Sequence, residues 1–235
     1  MAKQENNLLV GARPMTGGDG PNSYARNSVH QKGLVDAAKQ MINEAIANEF
    51  DIKNQIFDFS SNPCFKIADF GCSVGPNTFI SVQNIIDVVK SKYQLFNLTS
   101  SNSIGYIPEF QVFFNDYIDN DFNTLLKSLP PSRNYHVAAV PGSFHGRLFP
   151  KSTLHFMYTS SALHWLSRVP QEVVDKSSPA WNKGKIYCTG TSKQVSDAYF
   201  GQFKTDMDSF LNARAQELVI GGLLCLVMFG LPNGI

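Results

Sequence analysis

The sequence has almost no excess of charge of either sign, since 20 Lys and Arg residues face 19 Asp and Glu residues and the formal net charge is +1. A protein that binds the phosphate backbone of nucleic acids needs a basic surface. Long hydrophobic runs are also missing: the longest, residues 223–229, is too short to cross a bilayer, and residues 1–20 do not resemble a signal peptide. We therefore expect a cytoplasmic protein with no nucleic-acid partner and no membrane partner.

Cysteine is scarce and scattered along the chain, at Cys64, Cys72, Cys188 and Cys225. The C-x-x-C spacing that is typical of zinc sites and redox motifs is absent. In a cytoplasmic protein, cysteines at such spacings are reduced and packed like small apolar residues. The sequence predicts neither a zinc site nor a disulfide framework.

Hydrophobic periodicity alternates between helical and strand-like segments along the 235 residues. This alternation predicts one α/β unit, a doubly wound sheet whose ligands bind at the carboxyl ends of its strands. The last strand, LLCLVMF, is apolar throughout and is predicted to be buried on both faces, after a helix that stops at Gly221 and Gly222. The predicted strands are 65–70, 110–116, 136–144, 153–159 and 223–229, and the predicted helices are 34–46, 82–93, 121–129 and 207–218.

The stretch GCSVG, residues 71–75, follows the first predicted strand and permits two interpretations. As a G-x-S-x-G motif it would present Ser73 as a nucleophile on a strained turn. Such hydrolases need an oxyanion loop before the turn and an acid followed by a His after it, and neither stands out here. Alternatively, Gly71 and Gly75 allow a tight turn with close backbone approach to a cofactor, and the next helix aims its N-terminal amides at a carboxylate or phosphate. We favour the cofactor interpretation.

Asp116 stands at the end of the second predicted strand, where an acidic residue commonly binds a ribose. Alternatively, Asp116 caps the helix predicted to begin near residue 121. The dinucleotide fingerprint G-x-G-x-x-G is absent. A glycine turn after the first strand and an acid after the second, without a pyrophosphate fingerprint, favour S-adenosylmethionine over NAD as the cofactor.

Longer motifs run through the chain: MTGGDGPNSYARNSVHQKG (15–33), IADFGCSVGPNTF (67–79), FFNDYIDNDFNTLLKSLPP (113–131), VPGSFHGRLFP (140–150), ALHWLSRVP (162–170), WNKGKIY (181–187) and ARAQELVIGGLL (213–224). In this order, from about residue 13 to the end, the chain resembles the plant SABATH methyltransferases. These enzymes methylate carboxylates such as salicylate, jasmonate and loganate, or the nitrogens of xanthines. The resemblance implies a Rossmann-like class I methyltransferase sheet with flanking helices. It also implies transfer of a methyl group from S-adenosylmethionine to the carboxylate of a small plant metabolite, forming a methyl ester.

The resemblance also assigns roles to particular residues. Phe144 would stack on the adenine while Ser143 binds its edge, and Asp116 would lie on the ribose side. The N–H groups of His164 and Trp165 would position the acceptor carboxylate. The implied cofactor-binding residues are Tyr24, Ser28, Asp69, Gly71, Cys72, Asn77, Asp116, Tyr117, Ser143 and Phe144. The implied substrate-binding residues are Tyr24, Gln31, Ser161, His164 and Trp165. The histidines assigned to the interior or the surface are His30, His136, His145 and His155.

The implied chemistry is an in-line methyl transfer that needs no general base. An ionised carboxylate is already a nucleophile, so positioning in a dry pocket does most of the work. If the acceptor were instead a xanthine N–H, a base would be needed, and His164 would be the candidate. The carboxylate is the simpler acceptor.

Some residues depart from the family pattern. Thr16 stands where many relatives have Lys, which predicts weaker cofactor binding. Ser161 stands where many have Tyr, which predicts a larger or differently shaped acceptor. Asn182 matches a position that joins a magnesium site in some relatives, so Mg²⁺ is a candidate metal.

The chain ends with LPNGI, whereas relatives continue through a helical acceptor cap and the last strands of the sheet. We expect a form that is incomplete at its C-terminus, with an N-terminal active-site segment at about 13–50 and a cofactor-binding α/β core at about 63–235. Its expected partner is a second copy or a full-length relative, in a dimer. An alternative is a non-catalytic fragment that binds the cofactor or dimerises.

Overall fold

The structure is a computed structural model that describes residues 14–52, 64–100, 105, 107–185, 187–188 and 190–230. The strands are β1 (Cys64–Phe70), β2 (Glu109–Asp116), β3 (His136–Pro141), β4 (Leu154–Ser160) and β5 (Leu218–Val227). The helices are α1 (Tyr24–Asn27), α2 (Val29–Glu49), α3 (Pro76–Thr99), α4 (Phe122–Lys127), α5 (Gln171–Val174) and α6 (Lys193–Glu217). All strand pairs are parallel, in the order β3-β2-β1-β4-β5. The chain winds outward from β1 to β3 and then crosses to the other side of β1, which confirms the doubly wound α/β prediction.

Side chains on both faces of the sheet are buried, as expected for parallel strands. Along β1, Phe65 and Ile67 pack in one apolar core, and Ala68 and Phe70 pack in a second core on the opposite face. Phe210 of α6 belongs to the second core. The first core contains residues of α2 and α3 that recur at helical spacing, namely Ala38, Ile42, Ile46, Val82, Ile85, Ile86 and Val89. The sheet is therefore the middle layer of three.

The glycine pair 221–222 does not end a helix, contrary to the prediction from the sequence. Helix α6 ends at Glu217 and β5 begins with the next residue, so both glycines lie inside the strand. A Cβ added to Gly222 would lie 2.9 Å from the backbone oxygen of His155 on β4. The pairing of β4 with β5 also shifts register between Leu154 and Phe156. Gly222 therefore allows a close approach of the two strands at a local irregularity.

Strand β5 forms one edge of the sheet in the part of the chain that the structure describes. Its side chains are mostly half-buried, and Leu226 is 38% exposed while Phe229, just beyond the strand, is 55% exposed. The prediction of a strand buried on both faces is therefore wrong for the described residues. An apolar run indicates a strand, but its burial depends on which neighbours cover it.

Helix α6 begins at Lys193, well before the predicted start near residue 207. Near its middle the helix buries Gln202 and Asp206, and these polar residues interrupt the apolar periodicity from which the helix was predicted. Of the predicted N-terminal segment at 13–50 and core at 63–235, the structure does not describe residues 13, 63, 101–104, 106, 186, 189 and 231–235. None of the helices in the described ranges is long and apolar enough to span a membrane.

Candidate active site

A cleft opens at the carboxyl ends of the strands, where a doubly wound sheet binds ligands. The loops after β1, β2, β3 and β4 each contribute to its wall, and the N-terminal segment closes one side. The predicted site residues that line it are Tyr24, Gln31, Gly71, Asp116, Tyr117, Ser143, Phe144, Ser161, His164 and Trp165. An adjoining small cavity is lined by Asp69, Cys72 and Asn77, together with Tyr24, Gln31 and Gly71. The structure therefore brings together most of the residues that the sequence selected.

The glycine turn after β1 is shaped by contacts with its own chain. Gly71 has φ 84°, and a Cβ added there would lie 2.3 Å from the Cβ of Ala162 in the loop after β4. The amides of Gly71 and Cys72 donate hydrogen bonds to the carbonyl of Asn115 at 2.9 and 3.0 Å. These two amides therefore face β2, while Gly71 itself lines the cleft, so the close approach of the turn's backbone to a cofactor stays a prediction.

The N-terminus of α3 is also covered by the protein. A Cβ added to Gly75, the residue before this helix, would lie 3.0 Å from the Cα of Ala25 in α1. The side chain of Asn77 donates hydrogen bonds to the Oγ and backbone oxygen of Ser28, at 2.9 and 3.2 Å, and both residues are buried. That the amides at this helix N-terminus face a carboxylate or phosphate of the cofactor stays a prediction. In this structure, Ser28 and Asn77 fasten the N-terminal helices over the sheet.

Asp116 connects the glycine turn to the end of β2. Its Oδ2 accepts a hydrogen bond from the amide of Ser73 and its Oδ1 one from the amide of Tyr117, each at 2.7 Å. The alternative that Asp116 caps the following helix is wrong, because Asp121 is the N-cap of α4 and accepts from the amide of Thr124 at 3.0 Å. A carboxylate has about four acceptor positions, so Asp116 retains capacity for a ligand hydroxyl in the cleft.

The floor of the cleft is acidic. Burial raises the pKa of Asp69 to about 7, against the hydrogen bond that Thr78 donates to its Oδ2. Burial also raises the pKa of Asp116, against hydrogen bonds from the amides of Ser73 and Tyr117. Among the described residues that line the cleft and the adjoining cavity, none is Lys or Arg. Two buried carboxyl groups without a protein cation favour a ligand that carries positive charge.

Two candidate nucleophiles lie on this floor, and neither is activated. Burial raises the pKa of the Cys72 thiol well above its ordinary value, so it stays protonated at neutral pH. The Oγ of Ser73 is buried and has no hydrogen-bond partner among the described residues, so no His acts as its base. A serine hydrolase needs a base within hydrogen-bond reach. The arrangement therefore gives no support to a covalent mechanism at Ser73.

The opposite end of the cleft carries aromatic and imidazole groups. The rings of His164 and Trp165 lie 5.7 Å apart, and the indole is 51% exposed. Burial lowers the pKa of His164, so its imidazole is neutral at pH 7. A neutral imidazole has one N–H donor, and the indole has one more. This end can therefore offer N–H groups to an anionic acceptor without itself being charged.

Buried polar atoms without partners show that the cleft is suited to a polar ligand. They are Gln31 Oε1, Ser73 Oγ, His145 Nδ1, Ser160 Oγ and Ser161 Oγ, all on described residues that line the cleft. Buried polar groups in proteins are nearly always hydrogen-bonded, so these atoms match a ligand rich in hydroxyl, amino and carboxyl groups. S-adenosylmethionine is such a ligand, and its positive charge also complements the acidic floor.

His145 is the functional candidate that sequence reasoning missed, because it was assigned to the interior or the surface. Its ring lies 4.7 Å from that of Phe144 on the cleft wall. The sequence feature that could have identified His145 is its position directly after Phe144 in the motif VPGSFHGRLFP. By contrast, the assignment of the other histidines is confirmed: His30 and His136 are exposed, and His155 is buried and accepts a hydrogen bond from the amide of Lys66.

Asn182 lies apart from the cleft lining. It is buried, and its side-chain amide donates hydrogen bonds to the carbonyls of Lys185 and Tyr187 at 2.8 and 2.9 Å. No cluster of three or more His, Cys, Asp or Glu side chains suited to a metal occurs in the described part of the chain. Magnesium binding through Asn182 stays a prediction.

A doubly wound sheet with a glycine turn after β1 and an acid at the end of β2 defines the class of Rossmann-type cofactor-binding proteins. Comparison with known proteins narrows this class. The sequence model of the family described as "SAM dependent carboxyl methyltransferase" matches residues 11–234. The chain belongs to this family, which confirms the resemblance found in its motifs.

Individual relatives agree with this assignment. The chain is 54% identical over 226 residues to the loganic acid O-methyltransferase of Catharanthus roseus, covering 96% of this chain and 58% of that protein. It is 54% identical over 221 residues to the farnesoic acid carboxyl-O-methyltransferase of Arabidopsis thaliana, covering 94% of this chain and 60% of that protein. A solved structure of loganic acid methyltransferase with SAH is similar at a TM-score of 0.86 and 53% identity, over 94% of this chain and 60% of that one. The chain thus spans about 60% of the length of these relatives.

Proposed function

We propose that this chain carries the S-adenosylmethionine site, and part of the acceptor site, of an enzyme that methylates the carboxylate of a small plant metabolite to form a methyl ester. One observation carries the proposal. At one end lie the buried carboxyl groups of Asp69 and Asp116, with no Lys or Arg among the described lining residues, and at the other lie the neutral N–H donors of His164 and Trp165. The acidic end complements a cationic methyl donor, and the end with the N–H donors complements an anionic acceptor.

The cofactor roles follow the positions of the side chains. Asp116 would bind the ribose hydroxyls beside Tyr117, and Phe144 would stack on the adenine with Ser143 at its edge. Asp69 would balance the positive charge of the methionine part. The other residues proposed around this part are Tyr24, Ser28, Gly71, Cys72 and Asn77. When bound, S-adenosylmethionine supplies a methyl group on a positively charged sulfur.

The acceptor roles fall to Tyr24, Gln31, Ser161, His164 and Trp165. The two ring N–H groups of His164 and Trp165 would hold the carboxylate by hydrogen bonds, and its orientation toward the methyl group then accounts for most of the rate. No residue has to remove a proton, because an ionised carboxylate is already a nucleophile. Methylation of a xanthine nitrogen would need a base, and the lowered pKa of His164 makes this imidazole a weaker one. The structure therefore favours the carboxylate over the nitrogen.

The proposal also covers the cellular location of the enzyme, its association with a second chain and its metal. We infer a cytoplasmic protein that pairs with a second copy or with a longer relative, and the edge of β5 with exposed Leu226 and Phe229 supports an interaction there. Mg²⁺ at Asn182 is part of the same proposal and rests on the family pattern alone. A non-catalytic fragment that only binds the cofactor is the competing function.

Two measurements test the proposal. Titration calorimetry with S-adenosylhomocysteine should detect binding to the 235-residue chain, with adenosine monophosphate and NAD as ligands that should bind at least about tenfold more weakly, because the acidic floor repels phosphate. Transfer of a labelled methyl group should then be assayed with a panel of carboxylic acids and xanthines. The assay compares the chain alone with the chain extended by the C-terminal part of the Catharanthus loganic acid O-methyltransferase.

We expect both forms to bind S-adenosylhomocysteine and the extended form to methylate an acid. Binding without transfer in either form would favour the non-catalytic fragment. Transfer to xanthines but not to acids would favour the N-methyltransferase. Efficient turnover of an acid by the chain alone would show that residues 1–235 already hold a complete acceptor site.

A further inference from the structure

A buried ion pair near the end of α6 holds the loop that carries Phe144. Arg214 and Glu217 are 1% and 0% exposed, and the Nε of Arg214 donates a hydrogen bond to the Oε2 of Glu217 at 2.8 Å. A buried ion pair is costly to form unless further hydrogen bonds satisfy both partners. Here those further bonds go to the loop after β3.

The guanidinium of Arg214 binds one side of this loop. Its Nη1 donates to the carbonyl of Phe144 at 2.7 Å, and its Nη2 donates to the carbonyl of Gly146 at 2.8 Å. The fork of an Arg side chain can make both bonds in a fixed geometry, which the single ammonium of Lys cannot reproduce. Phe144 is thereby held at its backbone, directly beside the cleft.

The carboxylate of Glu217 binds the other side of the loop. Its Oε1 accepts hydrogen bonds from the amides of Leu148 and Phe149, at 2.5 and 2.9 Å. The two side chains of the pair therefore hold the middle of the loop, residues 144–149, with two carbonyls bound by the cation and two amides bound by the anion. This pattern restrains the loop as a unit.

Aromatic packing fixes the ring of Phe144 as well as its backbone. The ring of Phe210 lies 6.1 Å from that of Phe144 at an interplanar angle of 86°. The guanidinium carbon of Arg214 lies 5.0 Å from the centre of the Phe210 ring and 4.3 Å from that of Phe70. Phe70 directly precedes the glycine turn at Gly71. The buried Arg thus packs between the strand end that leads into this turn and the ring that supports Phe144.

From this geometry we propose that Arg214 and Glu217 are positioning residues for the adenine subsite: they fix the Phe144 loop in the orientation that stacks on the purine, without touching the ligand. The inference rests on the proposed function. It predicts that disturbing the ion pair weakens the binding of adenosine-containing ligands through Phe144 alone. Phe144 and the ion pair then act as one unit rather than independently.

A double-mutant cycle tests this proposal. The variants are Arg214→Gln, Phe144→Ala and the two combined, titrated by calorimetry with S-adenosylhomocysteine and with 5′-methylthioadenosine, which lacks the amino-acid part. Base stacking on an aromatic ring justifies an expected loss of about tenfold for Phe144→Ala. Arg214→Gln should lose about threefold to tenfold for both ligands, and the double variant about the same as Phe144→Ala alone.

Controls separate this role from a general loss of stability. Arg168→Gln removes a different hydrogen bond onto α6, to Gln202, and should leave the affinity for both ligands unchanged. Arg214→Lys should restore part of the affinity and serves as the folded variant if Arg214→Gln does not fold. Melting temperatures and the stoichiometry of binding identify the folded fraction of each sample.

Wild-type affinity in a folded Arg214 variant would overturn the proposal, and so would losses that multiply in the double variant. Both results require that the wild-type chain binds these ligands. If the wild-type chain bound neither ligand, the proposed cofactor function itself would fail.

Discussion

The carboxylate of Asp116 accepts a hydrogen bond from the amide of Ser73 at 2.7 Å. This bond joins the end of β2 to the glycine turn after β1, so the acid and the turn that the sequence singled out separately form one structural unit. Because the amides of Gly71 and Cys72 also bind the carbonyl of Asn115, the turn is fastened to β2 at consecutive residues. A ligand that binds Asp116 is therefore placed relative to the turn as well.

Asp116→Ala should weaken the binding of S-adenosylhomocysteine by roughly 1.5–3 kcal/mol, or about tenfold to 150-fold, because it removes an acceptor for ribose hydroxyls. It should also lower the melting temperature, since the amides of Ser73 and Tyr117 lose their partner. Calorimetry and thermal unfolding measure the two effects. Asp119→Ala, at an exposed position three residues beyond the end of β2, is the matched control. An unchanged affinity in folded Asp116→Ala would remove the ribose assignment.

Gly71→Ala should destabilise the protein by about 2 kcal/mol or more, because the new Cβ overlaps a packed neighbour. That neighbour is the Cβ of Ala162, at 2.3 Å, and the positive φ of Gly71 adds strain. Gly71→Val should abolish cofactor binding for the same reason. Chemical denaturation measures the first effect, with Gly33→Ala as a control in open space on α2. If Gly71→Ala were as stable as the wild type, this contact would not constrain the turn.

Ser73→Ala should retain most cofactor binding and change the free energy of unfolding by no more than about 1 kcal/mol, because the hydroxyl has no partner to lose. A serine-directed fluorophosphonate probe should leave the wild-type protein unlabelled, since Ser73 lacks a base. Mass spectrometry of the intact protein and of its peptides measures whether the probe is attached to Ser73. Stoichiometric labelling at Ser73 would revive the hydrolase interpretation.

The pH dependence of stability should reflect Asp69, whose pKa is raised by burial from 3.8 to about 7. The folded protein then binds more protons than the unfolded chain between these values, so the free energy of unfolding falls as the pH rises through this window and levels off above it. Asp69→Asn, which mimics the protonated carboxyl, should remove this part of the slope. Denaturation at pH 5 and pH 8 provides the measurement, and an identical slope in the wild type and the variant would contradict the assignment.

The same group predicts the pH dependence of ligand binding. A ligand ammonium or sulfonium near Asp69 favours the ionised carboxylate, so the affinity for S-adenosylmethionine should rise with pH up to about 7 and then level off. The Asp69→Asn variant should bind more weakly and without this rise. The affinity for S-adenosylmethionine is measured for both proteins at several pH values in buffers of matched ionic strength. A rise with pH in both proteins, or in neither, would contradict the role of Asp69.

Leu226→Lys should reduce self-association of the 235-residue chain, because a charge on an edge strand opposes pairing with another strand. Leu226 lies on β5 and is 38% exposed. Leu98→Lys, at an 84% exposed position on α3, is the matched control and should have no effect. Light scattering at tens of micromolar protein compares the variants. Equal association of wild type and Leu226→Lys would move the interaction surface away from this edge.

The sequence predicted most of the site because its signals are local. A glycine turn after one strand and an acid after the next mark the carboxyl edge of a parallel sheet, and Gly71 and Asp116 do meet there. The hydrogen bond between Ser28 and Asn77 could not be predicted from the sequence, because it joins residues 49 positions apart in the chain. His145 was missed for a similar reason: only the turn after β3 brings its ring to the cleft.

By itself, the sequence determined the alternation of helices and strands, the glycine turn and the family, because these depend on periodicity and on motifs within short windows. Only the tertiary structure decided where the partners of those motifs lie. It made Gly221 and Gly222 part of a strand, and β4 passes close to Gly222. It placed Arg214 and Glu217 under the Phe144 loop, about 70 residues away in sequence, because hydrogen bonds between distant segments form only when the packed sheet and helices bring them together.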